Sequence, residues 1–155
     1  MSQKLRIGYL VPQFPGQTHI FFWREVQVLE SMGHEVHLLS TRMPHSGLIS
    51  HDWSQDAIAR TTYLGQVEPV AALQALWALL PRGLPRAILR EGPGFAKDVA
   101  VTLSAARALV TLARERGLDH VHVHSCARAA LIAALARQMG GPTYSLTLHG
   151  PLSDY

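Results

Sequence analysis

Two short apolar runs flank one amphipathic helix at the start of this chain, and that arrangement restricts the possible folds most. The run at 5–11 (Leu-Arg-Ile-Gly-Tyr-Leu-Val) has the character of a buried strand, and the Pro- and Gly-punctuated stretch 12–17 is a loop. Thr18 is placed to N-cap a helix over about 19–32, where Phe22, Val26 and Leu29 recur at helical spacing. Gly33 closes that helix, and 34–40 is a second strand. Strand, loop, helix, glycine and strand in this order form a βαβ unit, whose strands are parallel and whose crossover is right-handed.

The pattern weakens over 41–67, where 43–47 is a loop and Thr61-Thr62-Tyr63-Leu64 a short third strand. Pro69 opens a helix that runs to Leu80, and Pro81 to Arg86 breaks it. Gly92-Pro93-Gly94 is a second break, followed by an amphipathic helix over 97–116 that Gly117 caps. His120 to His124 is a fourth strand, 127–139 an alanine-rich helix, and 143–148 a fifth strand after the turn at 140–142. This alternation predicts one α/β domain over 1–155, Rossmann-like and doubly wound, with a mainly parallel sheet and helices on both faces. At 155 residues the chain can bury a sizeable core.

Composition narrows the function classes. A hydrophobic fraction of 48% with 16% charged residues excludes a disordered chain. Lys4 and Lys97 are the only lysines, so the basic residues are almost all arginine, which suits phosphate and carboxylate. A net charge of +3, scattered along the chain, does not argue for nucleic acid. The lone Cys126 rules out an internal disulfide and fits a reducing compartment, with a small buried core residue as its expected role. No signal-peptide pattern and no bilayer-length apolar stretch is present, which predicts a cytoplasmic protein. Arg82, Arg86 and Arg90 recur at i, i+4 and i+8 beside Trp77, Leu80, Leu84 and Leu89. They suit either a solvated arginine face or peripheral contact with an anionic membrane surface.

Four places can carry chemistry. Tyr144 to Leu148 delivers His149 and Gly150 to a strand tip, where open α/β sheets bind ligands. Gly16, Gln17 and Thr18 feed a helix N-terminus, whose backbone N–H groups suit an anion and equally suit a simple turn. His120, His122 and His124 alternate onto one strand face, a spacing known from metal sites, but Asp119 is the only acid nearby in sequence. His120 and His122 are therefore read as structural, and His124 with Ser125, nearest the strand's end, as lining a cleft. Arg24 and Glu25 form a plausible ion pair orienting the first helix.

Four segments together resemble one known family. Phe14-Pro15-Gly16-Gln17-Thr18-His19-Ile20-Phe21-Phe22-Trp23-Arg24-Glu25 is similar to the first loop and helix of retaining family-four glycosyltransferases with two Rossmann-like domains. These enzymes make exopolysaccharides, colanic acid and related glycans. Phe14, Pro15, Phe21, Arg24 and Glu25 match that pattern, while His19 and Ile20 depart from it. Gly33-His34-Glu35-Val36-His37, the His120–His124 strand and Tyr144 to Gly150 resemble three further segments of the family in the same order. The resemblance implies an N-terminal, acceptor-side half of a GT-B fold, short for such a half and without its C-terminal donor-binding domain. It implies His149 as the catalytic group near the donor sugar, and Gly16, Gln17, Thr18 and Gly150 at the donor phosphates. His124 and Ser125 would face the acceptor, a glycan or lipid-linked glycan. The donor would be a nucleotide sugar, no metal or other cofactor would be needed, and this chain alone would be inactive. A stand-alone domain binding a nucleotide or phosphorylated ligand, and a metal-dependent hydrolase using the histidine strand, are the rival readings.

Overall fold

The computed structural model of the chain describes residues 4–44 and 52–149. The N-terminal apolar run is β1 (Arg6–Gln13), and its residues from Ile7 to Val11 are all buried. Such a run is buried on both faces because helices cover both sides of a parallel sheet. α1 (Ile20–Ser31) follows and ends in a paired set of backbone bonds. Gly33 N–H donates to Glu30 and His34 N–H to Leu29, with Gly33 at a φ of 92°. That is a Schellman closure, and its left-handed residue favours glycine. It turns the chain directly into β2 (Glu35–Arg42).

α2 (Ser54–Arg60) and β3 (Thr61–Tyr63) come next, then α3 (Pro69–Leu79), a 3₁₀ turn (Leu80–Arg82) and α4 (Leu84–Glu91). α5 (Pro93–Arg116), β4 (His120–Val123), α6 (Arg128–Gln138) and β5 (Thr143–Leu146) complete the order. The five strands form one sheet in the order β3-β2-β1-β4-β5, and every neighbouring pair is parallel. The fold is thus the expected doubly wound α/β arrangement. Leu10 of β1 sits between Leu39 of β2 and Val123 of β4, and this row packs against α3, α5 and α6. Tyr9, Val11, Val36 and Leu38 point the other way, onto Phe22, Trp23 and Val26 of α1 and Ala57 of α2.

Several elements depart from the sequence expectation. α2 lay unforeseen in the weak stretch, because seven residues anchored by buried Ala57 are too short to show a helical period. The break at Gly92 is there and ends α4, but α5 begins at once at Pro93, four residues ahead of the expected start at Lys97. Proline is well suited there, since the first-turn N–H has no partner to lose. α1 starts at Ile20 without a side-chain cap bond, so Thr18 does not cap it. β5 ends at Leu146, two residues early. The loop placed at 43–47 lies outside the described residues from 45 onward. Cys126 is free and half-buried, not a core residue.

Gly83, at a φ of 89°, separates Arg82 from α4, so the three arginines do not share one continuous helix. Arg82 bonds the Ala78 carbonyl and Arg90 pairs with Glu91 at 2.7 Å. No described helix is long and apolar enough to cross a membrane.

Gly65, just past β3, meets the β2 end closely: a Cβ built there would lie 1.9 Å from the Thr41 carbonyl oxygen. A backbone atom cannot swing aside as a side chain can. Gly65→Ala is expected to lower stability by about 2–3 kcal/mol. That corresponds to a fall in thermal midpoint of roughly 4–12 °C for a chain of this size, measurable by calorimetry.

Candidate functional site

The chain winds outward from β1 through β2 to β3, then returns to the other side of β1 with β4 and β5. The crevice outside the carboxyl ends of β1 and β4 is therefore the switch point of the sheet, where open α/β folds bind ligands. An open cleft of about 400 Å³ lies there, lined at the sheet by Val11, Pro12, Gln13, His124 and Ser125. Thr18, His19, Phe21 and Phe22 close its α1 side, and His149 overhangs it from beyond β5.

Helix α1 and strand β4 position the histidines. His124 N–H extends the β4 ladder to the Leu10 carbonyl at 3.0 Å. Its imidazole lies 4.5 Å from the Tyr9 ring and 4.6 Å from the Phe22 ring, so only 2% of the side chain is exposed. Nδ1 of His124 bonds Nε2 of His149 at 3.1 Å, one nitrogen donating and the other accepting. His149 is itself exposed and stands 5.4 Å from the Phe22 ring and 5.8 Å from the Phe21 ring.

The other nitrogen of His124, Nε2, is buried and has no hydrogen-bond partner among the described residues. An unsatisfied buried polar atom costs about 1–3 kcal/mol. Nε2 points toward Glu25 of α1, whose Oε2 is 3.7 Å away and accepts the Tyr9 hydroxyl at 2.6 Å. Burial first, then the neighbouring His122 and His149, hold His124 down to about 3. The imidazole is accordingly neutral at physiological pH, and its approach to Glu25 is not an ion pair. Burial and the Glu25 carboxylate push the Tyr9 phenol up, so Tyr9 stays a donor. Burial also lowers His122 and His19.

Of the residues singled out from sequence, Thr18, His124, Ser125 and His149 meet at this one cleft. Ser125 is buried, and its hydroxyl accepts the Ala127 N–H at 3.1 Å, turning the chain into α6. Gly16 and Gln17 do not line the cleft. A Cβ at Gly16 would fall 2.7 Å from Nδ1 of His19, so the glycine makes room for that imidazole. Gly150 lies outside the described residues. The expected Arg24–Glu25 pair is replaced by the Tyr9–Glu25 bond.

The two β4 histidines and His124 just past the strand do share one face. His120 bonds Thr143 and Ser145 at 2.8 Å each, and His122 bonds Ser145 at 2.7 Å and Thr147 at 3.0 Å. Asp119, the nearby acid in sequence, faces elsewhere and accepts the Arg6 N–H at 2.8 Å. The acid that reaches the row is Glu25, about a hundred residues earlier in the chain. Its signal in the sequence was the i, i+3 spacing of Phe22 and Glu25, which puts both on one helix face. Compared with models of known protein families and with curated proteins, the chain matches none.

The groups facing His124 are Tyr9, Glu25, His122 and His149, and together they give stability a definite pH dependence. The unfolded chain protonates a histidine near the ordinary value of about 6.5, whereas folded His124 stays neutral to about 3. Between those values the unfolded state holds the extra proton. Stability is therefore intact above about pH 6.5 and falls as pH drops below it, by about 1.4 kcal/mol per unit for His124 alone. Urea unfolding in chelator-containing buffer should show a loss of about 2 kcal/mol between pH 6.5 and 5. His124→Gln should flatten that slope.

Proposed function

We propose that this chain supplies the acceptor-side wall of a retaining glycosyltransferase, which moves a sugar from a nucleotide-sugar donor to a glycan or lipid-linked glycan. The observation that carries this reading is the convergence of Thr18, His124, Ser125 and His149 at the switch-point cleft. Four segments far apart in sequence resemble those of the family, and three of them contribute to that cleft.

In this reading the acceptor hydroxyl attacks the anomeric carbon on the face from which the diphosphate leaves. A carbon–oxygen bond to the acceptor forms as the bond to the phosphate oxygen breaks. The hydroxyl proton passes to the departing phosphate oxygen. His149 sits beside the donor sugar, where its exposed ring hydrogen-bonds a hydroxyl or the leaving phosphate. The Nδ1 of His124 orients that ring from beneath. The α1 entry at Thr18 offers its backbone N–H on the cleft's other rim, and a nucleotide-binding domain supplies most of the donor contacts. Arg82, Arg86 and Arg90, with exposed Leu89 and Trp77 near them, suit contact with the surface that holds a lipid-linked acceptor.

The test is transfer from a panel of labelled nucleotide sugars by the protein that carries this chain. Replacing His149 with Ala should lower kcat by roughly 100- to 1,000-fold, as loss of one charge-stabilising group does, with the fold intact by circular dichroism. Unchanged turnover in that variant would overturn the role of His149. Tight binding of a nucleotide sugar by residues 1–155 alone would favour a stand-alone binding domain instead.

A further inference from the structure

The face of β4 that looks at α1 carries a group of side chains for which sugar transfer has no use. Glu25, His122 and His124 each bring one ligand-type atom into a set whose members all lie within 4.8 Å of one another. Within it, Nε2 of His124 and Oε2 of Glu25 are 3.7 Å apart. Four-coordinate zinc holds its nitrogen and oxygen ligands at about 2.0–2.2 Å, which places neighbouring ligand atoms roughly 3.4 Å from each other. We propose that Glu25, His122 and His124 form a binding site for one divalent transition-metal ion of the zinc type. The inference is independent of the sugar-transfer reading.

Three observations carry it. The buried Nε2 of His124 lacks any hydrogen-bond partner among the described residues, and it is aimed at the Glu25 carboxylate. A metal would satisfy an atom the fold otherwise leaves bare. Each ligand also has an outer partner of the kind that fixes a metal-bound side chain. His124 has His149 on Nδ1, Glu25 has the Tyr9 hydroxyl, and His122 has a hydroxyl on either nitrogen, Ser145 or Thr147. Whichever nitrogen His122 turns to the ion, one hydroxyl remains to hold the other.

The donor set selects the metal. Two imidazoles and one carboxylate suit zinc and its borderline neighbours and do not suit calcium or magnesium, which take oxygen ligands. Three protein ligands leave a fourth position for water, and Glu25, whose side chain is 45% exposed, opens the site to solvent on that side. With Nε2 on the ion, the proton of His124 must sit on Nδ1, where it is donated to Nε2 of His149. The site would thus set the tautomer of the cleft histidine.

Chelator-stripped protein dialysed against Zn²⁺ should retain one equivalent by elemental analysis, and titration with Co²⁺ should raise the visible bands of a four-coordinate ion. Tyr9→Phe removes an outer partner and should weaken binding by roughly 10- to 100-fold. Glu25→Gln and His124→Gln remove ligands and should weaken it further. His120→Ala should bind as the parent protein does, whereas His149→Ala removes the outer partner of His124 and should weaken binding as Tyr9→Phe does. Should His124→Gln fail to fold, Glu25→Gln decides, because its amide oxygen still accepts the Tyr9 hydroxyl. Absence of stoichiometric metal in the parent protein would overturn the proposal. So would full binding in folded Glu25→Gln, or loss of the ion in folded His120→Ala.

Discussion

The parallel pairing of β4 with β1 is the constraint on which the rest of the structure depends. It sets His120 beside Ile7, His122 beside Tyr9 and Val123 beside Leu10. Strand side chains alternate between faces, so this register sends Val121 and Val123 into the core under α5 and α6, and the histidines toward α1. A slip of one residue would exchange the two sets. Three imidazoles would then be buried among Leu109, Val110 and Ile132, where no hydroxyl row exists to receive them. The two valines hold the histidine row on its face by making a one-residue slip costly.

The face opposite is built to accept that row. Thr143 and Ser145 of β5, and Thr147 just past its end, alternate toward it and bond His120 and His122. On α1, Phe22 and Glu25 lie one turn apart and do different work. Phe22 packs on the His124 ring and keeps water from it, while Glu25 reaches the Tyr9 hydroxyl. Excluding water is what holds His124 neutral, and a neutral ring has one nitrogen to donate and one to accept. The same packing therefore defines the protonation state of the site and the direction of its hydrogen bonds.

Much of the fold was legible because its signals are local. Apolar runs marked the strands, and Gly33 and Gly117 marked helix ends through their left-handed backbone. α2 was hidden because a single buried alanine carries no period, and the start of α5 was placed late because Pro93, which follows the true break at Gly92, opens the helix itself. The cleft was legible in part for the same reason. Strand tips can be located from sequence, so His149, His124 and Ser125 could be placed near one another. Glu25 could not, since its arrival depends on how α1 rotates onto the sheet. That rotation is decided by the packing of Phe22, Trp23 and Val26, which is a tertiary matter. Gly16 had the reverse fate: it suggested an anion loop and instead makes room for the His19 ring.

His124 was expected to line a cleft, and it does so through one nitrogen only. Nδ1 meets His149 at the open side, and Nε2 is sealed beneath, 3.7 Å from Glu25. A ring with 2% of its side chain exposed offers a ligand in the cleft no free edge, so any influence of His124 there passes through His149. Whatever settles Nε2 decides which nitrogen bears the proton, and thereby whether His149 receives a hydrogen bond or gives one. The exposed histidine and the Glu25 carboxylate are joined through a single buried imidazole. The sheet register that fixes that imidazole fixes the chemistry available on both sides of it.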